Sequence, residues 1–235
     1  MGNNYFQFKQ FLIKQDKCAM KVGTDSVLLA CLTDVSNCKT VLDIGTGTGI
    51  IALMLAQKNT SLLIDAIEID DDAFIQAKEN IETSVFAPQI QIHHGALQHF
   101  EPNKKFDLII SNPPYFIGKN NFSIHNIQRA KARHDDDLPF DVLIQKASDL
   151  LTNDGTLRVI LPAQESKVFI NLALQMGLHL QVQIYLKPKP SKSYNRVIIQ
   201  LGKTEKGIIE NEFTIYQEDG IQTEWYKETC KDFYL

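Results

Sequence analysis

A chain of 235 residues suits one α/β domain with small additions, and its 44% hydrophobic and 22% charged content excludes a disordered or fibrous class. A net charge of −4 excludes a uniformly basic, nucleic-acid-coated surface, although basic residues gather locally, at Lys9 to Lys21, at Arg129, Lys131 and Arg133, and at Lys187, Lys189 and Lys192. Cys18, Cys31, Cys38 and Cys230 form no C-x-x-C pair, and no apolar run reaches the roughly 18 residues of a membrane span, so the expectation is a soluble, cytoplasmic protein without disulfides or a zinc ribbon.

Tyr5 to Lys17 predicts a short extended arm or hairpin, and Thr24 or Asp25 is placed to cap a helix through the apolar run Val27 to Leu32. Lying ahead of the first core strand, this arm suggests a lid, with a packed N-terminal helix as the alternative. Thr40 to Ile44 predicts a strand, Gly45-Thr46-Gly47-Thr48-Gly49 a turn, and Ile50 to Lys58 a helix. Strand, glycine turn and helix form the first unit of a nucleotide-binding α/β fold, in which glycines let the backbone pass close to a ligand. Leu62 to Ile69 predicts a second strand ending at Glu68, whose carboxylate can accept both hydroxyls of a ribose. Asp71 to Glu82 follows as a helix carrying Ala73, Ile75, Ala77 and Ile81. Gly47, Gly49 and Ala52 also satisfy G-x-G-x-x-A, so the turn alone does not separate a nicotinamide dinucleotide from S-adenosylmethionine.

Ile90 to His94 alternates as a third strand, and its two histidines point to opposite faces, which favours structural roles over a shared metal. Phe106 to Ile110 is a fourth, buried strand, followed by Ser111-Asn112-Pro113-Pro114-Tyr115-Phe116. The two prolines lack N–H groups and have fixed φ, so they end the strand in a stiff loop at its carboxyl edge, where open α/β sheets bind ligands. There Asn112 Oδ1 and the Pro113 carbonyl can accept from the –NH2 of a flat molecule while Tyr115 stacks on its ring. A plain strand-ending turn is the alternative. Asp135 to Asp137 reads as acidic charge before a helix from Pro139 to Leu151 rather than as a metal site. Beyond it come a fifth strand, Gly155 to Pro162, and a helix, Ala163 to Met176, closed at Gly177. Leu178 to Leu186 and Arg196 to Leu201 then predict an antiparallel hairpin with a stiff basic tip, Lys187 to Ser193. The tail adds a possible strand at Phe213 to Tyr216 and a short helix around Glu224 to Phe233.

Asp43-x-Gly45-x-Gly47-x-Gly49 resembles the first motif of Rossmann-like methyltransferases, whose loop embraces the methionine and ribose of S-adenosylmethionine. That resemblance implies a seven-stranded, mostly parallel sheet with an antiparallel terminal hairpin and helices on both faces. A closer resemblance covers nearly the whole chain. Phe8-Lys9-Gln10-Phe11, the segment Asp16 to Asp25, Asn112-Pro113-Pro114-Tyr115-Phe116, Ala132-Arg133-His134 and the closing Lys231-Asp232-Phe233-Tyr234-Leu235 look like the tRNA1(Val) adenosine-37 N6-methyltransferases. It implies one methyltransferase domain, with an arm and lid at 1–39, a catalytic core at 40–203 and an extension at 204–235. Cofactor contacts are expected from Thr24, Asp43, Gly45, Gly47, Gly49, Glu68 and Asn112, and the chemistry from Asn112, Pro113, Pro114 and Tyr115. The tRNA would be met by Tyr115, Phe116, Arg129, Lys131, Arg133, Lys187 and Lys189, by a monomer needing no metal. One position departs from the pattern: Ala96 stands where such enzymes place an acid for the cofactor's adenine amine. The Asn-Pro-Pro-Tyr loop also serves methyltransferases of other RNA or DNA adenines and of protein glutamine. The glutamine enzymes would carry a recognition domain ahead of the core, for which only about forty residues remain here. An NAD-dependent oxidoreductase would leave Asn112 to Tyr115 unexplained.

Overall fold

The computed structural model describes residues 3–18, 20–113 and 138–235. A small antiparallel hairpin, β1 (Tyr5–Gln7) and β2 (Leu12–Lys14), leads into α1 (Thr24–Cys31). The core follows as β3 (Thr40–Ile44), α2 (Ile50–Lys58), β4 (Leu63–Glu68), α3 (Asp71–Glu82), β5 (Ile90–His94) and β6 (Phe106–Ser111). It continues with α4 (Phe140–Leu150), β7 (Leu151–Pro162), α5 (Ala163–Gln175), β8 (His179–Lys187), β9 (Arg196–Gly202), β10 (Ile209–Thr214) and α6 (Glu224–Cys230). The main sheet runs β10-β8-β9-β7-β6-β3-β4-β5, with β9 antiparallel to both neighbours and every other pair parallel.

The sheet therefore has eight strands rather than the expected seven. The additional one is β10, which pairs with β8 from Ile209↔Val182 to Thr214↔Lys187 and begins four residues before the predicted Phe213. Its sequence, Ile-Glu-Asn-Glu-Phe-Thr, lacks the apolar alternation of a half-buried strand, because an edge position exposes most of it and the pairing is carried by backbone.

Strands buried on both faces read as nearly continuous apolar runs, and β3 shows why. Val41 joins the cluster beneath α1 and α2 with Val27, Leu28 and Met54, whereas Leu42 and Ile44 join the opposite cluster with Leu143 of α4 and Phe169 of α5. Each such side chain contributes about 1.5–3 kcal/mol on leaving water.

Two local expectations are corrected. The N-cap of α1 is Gly23, in extended conformation, and neither Thr24 nor Asp25 caps it. Asp25 is engaged instead by Arg196, at 2.7 Å. On α3, Ile75 is half exposed, and the buried face is Ala73, Gln76, Ala77, Asn80 and Ile81. Its two amides are buried because they hold the arm. Asn80 Oδ1 accepts from the Lys14 amide at 2.9 Å, and its Nδ2 donates to the carbonyls of Lys14 and Thr48, each at 2.9 Å. Gln76 Oε1 accepts from the Lys17 amide at 3.1 Å.

Candidate active site

From β3 the chain moves outward through β4 to β5, then crosses back to place β6 on the other side of β3. That reversal opens a crevice at the carboxyl ends of β3 and β6, the location at which open α/β sheets bind ligands. The glycine turn follows β3 and Asn112 follows β6, so two motifs 67 residues apart meet there; Ser111 Oγ bridges the strand ends by donating to the Ile44 carbonyl at 2.8 Å.

A cleft of about 250 Å³ occupies the crevice. Gly45, Gly47, Glu68 and Asp70 line one side, Ala96, Leu97 and Gln98 another, and Cys18 and Met20 of the arm, with Asn112, complete the wall. Gly45 and Gly47 have φ of 67° and 58°, a region that favours glycine, and a Cβ at either would meet no atom within 4 Å. The backbone thus turns its bare side toward empty space.

Glu68 shapes this turn. Its Oε2 accepts from the Gly47 amide at 2.8 Å, and its Oε1 from the Ile69 and Asp70 amides at 2.9 and 3.0 Å. Oε1 thus has both its acceptor sites taken, and Oε2 retains one for a ligand hydroxyl. Asp43 lies fully buried below the turn and accepts from Thr46 Oγ1 at 2.6 Å. Desolvation pushes its carboxyl up to about 7, with the Thr46 hydroxyl and the Ala52 amide opposing the rise. Asp43 and Gly49 support the turn from beneath and are not among the lining residues. Burial likewise pushes the Cys18 thiol up to about 11, so it forms a neutral wall.

The polar and apolar parts of the cleft suit different parts of S-adenosylmethionine. Glu68 Oε2 offers an acceptor for a ribose hydroxyl, and Ile67, Ile69 and Leu97 offer apolar faces for an aromatic base. Gln98 shares that wall, and its side chain has no hydrogen-bond partner among the described residues. The sequence leaves the adenine contact to backbone groups or a neighbour of Ala96, and Gln98 is such a neighbour, two positions on in the short turn Leu97–His99.

Other expected residues fall elsewhere. Thr24 opens α1 but does not line the cleft. Lys187 and Lys189 sit at the β8 end of the hairpin tip, on the same carboxyl edge, but both are engaged: Lys187 Nζ pairs with Glu212 at 2.7 Å and Lys189 Nζ donates to the Glu218 carbonyl at 2.9 Å. The roles expected of Pro114, Tyr115, Phe116, Arg129, Lys131, Arg133 and Asp135 to Asp137 concern positions outside the described residues. His93 and His94 do separate, toward Asp65 at 2.7 Å and Asp71 at 2.9 Å. Among the described residues no group of three or more His, Cys, Asp or Glu could hold a metal, and no helix is long and apolar enough to cross a membrane.

A glycine turn and a strand-end amide facing one cleft at the switch point of this sheet define a methyltransferase of the Rossmann-like class, and residues 18–175 match the family model of the methyltransferase small domain. A solved structure of a predicted O-methyltransferase from Agrobacterium tumefaciens shares the fold, with a TM-score of 0.67 at 17% identity over 89% of this chain and 96% of that one. Two curated relatives, each covering 100% of this chain and 99% of its own length, are the tRNA1(Val) (adenine(37)-N6)-methyltransferases of Parabacteroides distasonis, 41% identical, and Trichodesmium erythraeum, 42% identical. The chain belongs to the tRNA1(Val) (adenine(37)-N6)-methyltransferase family.

Proposed function

We propose that this protein methylates N6 of adenosine 37 in tRNA1(Val), using S-adenosylmethionine. The observation that carries this reading is the meeting of Asn112 with Gly45, Gly47 and Glu68 around one cleft. Full-length similarity to the curated relatives supports the substrate.

When bound, S-adenosylmethionine supplies an electrophilic methyl group. Gly45 and Gly47 would admit its methionine and ribose portion, Glu68 Oε2 would accept from a ribose hydroxyl, and Gln98 would meet the polar edge of its adenine between Ile69 and Leu97. The residues of this chain act on the other reactant. The N6 lone pair of adenine is delocalised into the ring and is a poor nucleophile. Asn112 Oδ1 and the Pro113 carbonyl accept its two hydrogens, which favours a pyramidal nitrogen and aims the lone pair out of the ring plane. Pro114 stiffens the loop, and Tyr115 or Phe116 stacks on the base, which an unpaired anticodon loop releases at less cost than a duplex. Arg129, Lys131, Arg133, Lys187 and Lys189 supply phosphate contacts, the last two by exchanging their present partners for RNA.

Asn112→Ala tests the role of the amide. The variant is expected to bind S-adenosylmethionine within about twofold of wild type by calorimetry, while methylation of tRNA lacking the modification falls by at least about a hundredfold, the scale of a lost transition-state contact. Turnover close to wild type in that variant refutes the assignment.

A further inference from the structure

A side-chain amide is nearly symmetric in shape, and rotation by a half-turn exchanges its acceptor and donor ends. An Asn that must present oxygen to an amine therefore needs a neighbour that engages the nitrogen. Asn112 has one: its Nδ2 donates to Ser26 Oγ at 2.8 Å, across 86 residues of sequence. Ser26 lies in the first turn of α1, whose following residues Val27, Leu28, Leu29 and Ala30 are all buried. Beside it, Asp25 Oδ2 accepts from Arg196 Nε at 2.7 Å, and Arg196 opens β9 on the same edge of the sheet. The hydroxyl is thus carried by a turn fixed on one side by packing and on another by an ion pair.

We propose that Ser26 is a positioning residue for the methyl transfer: it anchors the Asn112 amide at the crevice and, with the substrate amine on Oδ1, accepts from Nδ2 and so increases the negative charge on that oxygen. The proposal rests on the reading of Asn112 as the amine acceptor. A hydroxyl both donates and accepts, so Ser26 alone tolerates either orientation of the amide. Once the amine donates to Oδ1, only Nδ2 remains for Ser26, and the two bonds reinforce each other through the amide. The role gives the Ser26 hydroxyl, which does not cap the helix, a partner across the crevice. It also gives the N-terminal segment a part in the chemistry besides lining the cleft through Cys18 and Met20.

Three variants, Ser26→Ala, Ser26→Thr and Asn112→Ala, are compared in steady-state tRNA methylation, in calorimetric binding of S-adenosylhomocysteine and in thermal unfolding. Ser26→Ala is expected to lower kcat about tenfold, the effect of one hydrogen bond made in the transition state. KM for tRNA, cofactor-product affinity and Tm should stay near wild type, and Ser26→Thr, which keeps the hydroxyl, should recover kcat to within about threefold. An unchanged kcat in Ser26→Ala alongside an inactive Asn112→Ala overturns the proposal and leaves the amine-acceptor reading standing. Equal loss in the Ala and Thr variants, with falling Tm and weakened binding, overturns it in favour of a packing role. Wild-type turnover in Asn112→Ala overturns both.

Discussion

Gln98 is where the chemistry of single residues departs furthest from the resemblance. An acid at position 96 would accept from the adenine amine, and Ala96 offers no side-chain acceptor. Gln98 reaches the same wall with an amide that can accept through Oε1 and donate through Nε2, the complementary pair of an adenine edge. Gln98→Ala is expected to weaken S-adenosylmethionine binding about five- to tenfold by calorimetry, as one hydrogen bond of roughly 1–1.5 kcal/mol is lost. Unchanged affinity would assign the adenine to backbone groups. No sequence pattern pointed to Gln98, because its relevance arises from a turn that brings it round beside Leu97. By contrast the gathering of Gly45, Gly47, Glu68 and Asn112 at one cleft was legible, since each stands at or just beyond a strand end on the same edge of the sheet. Asp43 was half legible: its place before the turn was clear, but its role is to brace Thr46 from beneath rather than to face the cleft.

Among the elements, α3 carries the arm, and Asn80 is the residue on which the attachment depends. Asn80→Ala leaves the Lys14 amide and the carbonyls of Lys14 and Thr48 without their partner, in a nearly solvent-free site. A loss of about 2–3 kcal/mol is expected, and with it a fall in Tm of roughly 5–10 °C for a chain of this size. A Tm within about 2 °C of wild type would show the arm to be held chiefly by its apolar residues. In the sequence Gln76 and Asn80 look like part of a solvated face, as polar residues at this spacing ordinarily are; here they share a buried face with Ala73 and Ala77. The start of β7 was misread for a related reason. Thr152-Asn153-Asp154-Gly155 has the composition of a turn, yet the strand runs from Leu151, and the register shift against β6 absorbs the extra residues. Gly155 serves close approach there, since a Cβ would lie 2.6 Å from the Phe106 carbonyl oxygen. Strongly periodic segments such as Asp71–Glu82 and Ile90–His94 were read with their observed bounds.

Over the whole molecule, the two ends of the chain close on each other. The Lys9 amide donates to the Phe233 carbonyl at 2.8 Å, Gln57 Nε2 to that of Asp232 at 2.9 Å, and Phe8, Ile13, Tyr226 and Phe233 are buried in one cluster with α1 and α2. Because α1 carries Ser26 and the segment before it lines the cleft, this closure ties the terminal residues to the site that β3 and β6 create. On the function proposed above, the assembled edge delivers a methyl group to one particular amine. That delivery is tested most directly by incubating unmodified tRNA1(Val) with the enzyme and S-adenosylmethionine, then locating the new methyl group by nuclease digestion and mass spectrometry. N6-methyladenosine is expected at position 37, with at least about a hundredfold less of it from Asn112→Ala. A methyl group on another base, on another atom of adenosine 37, or none at all with the wild-type protein would contradict the proposed function.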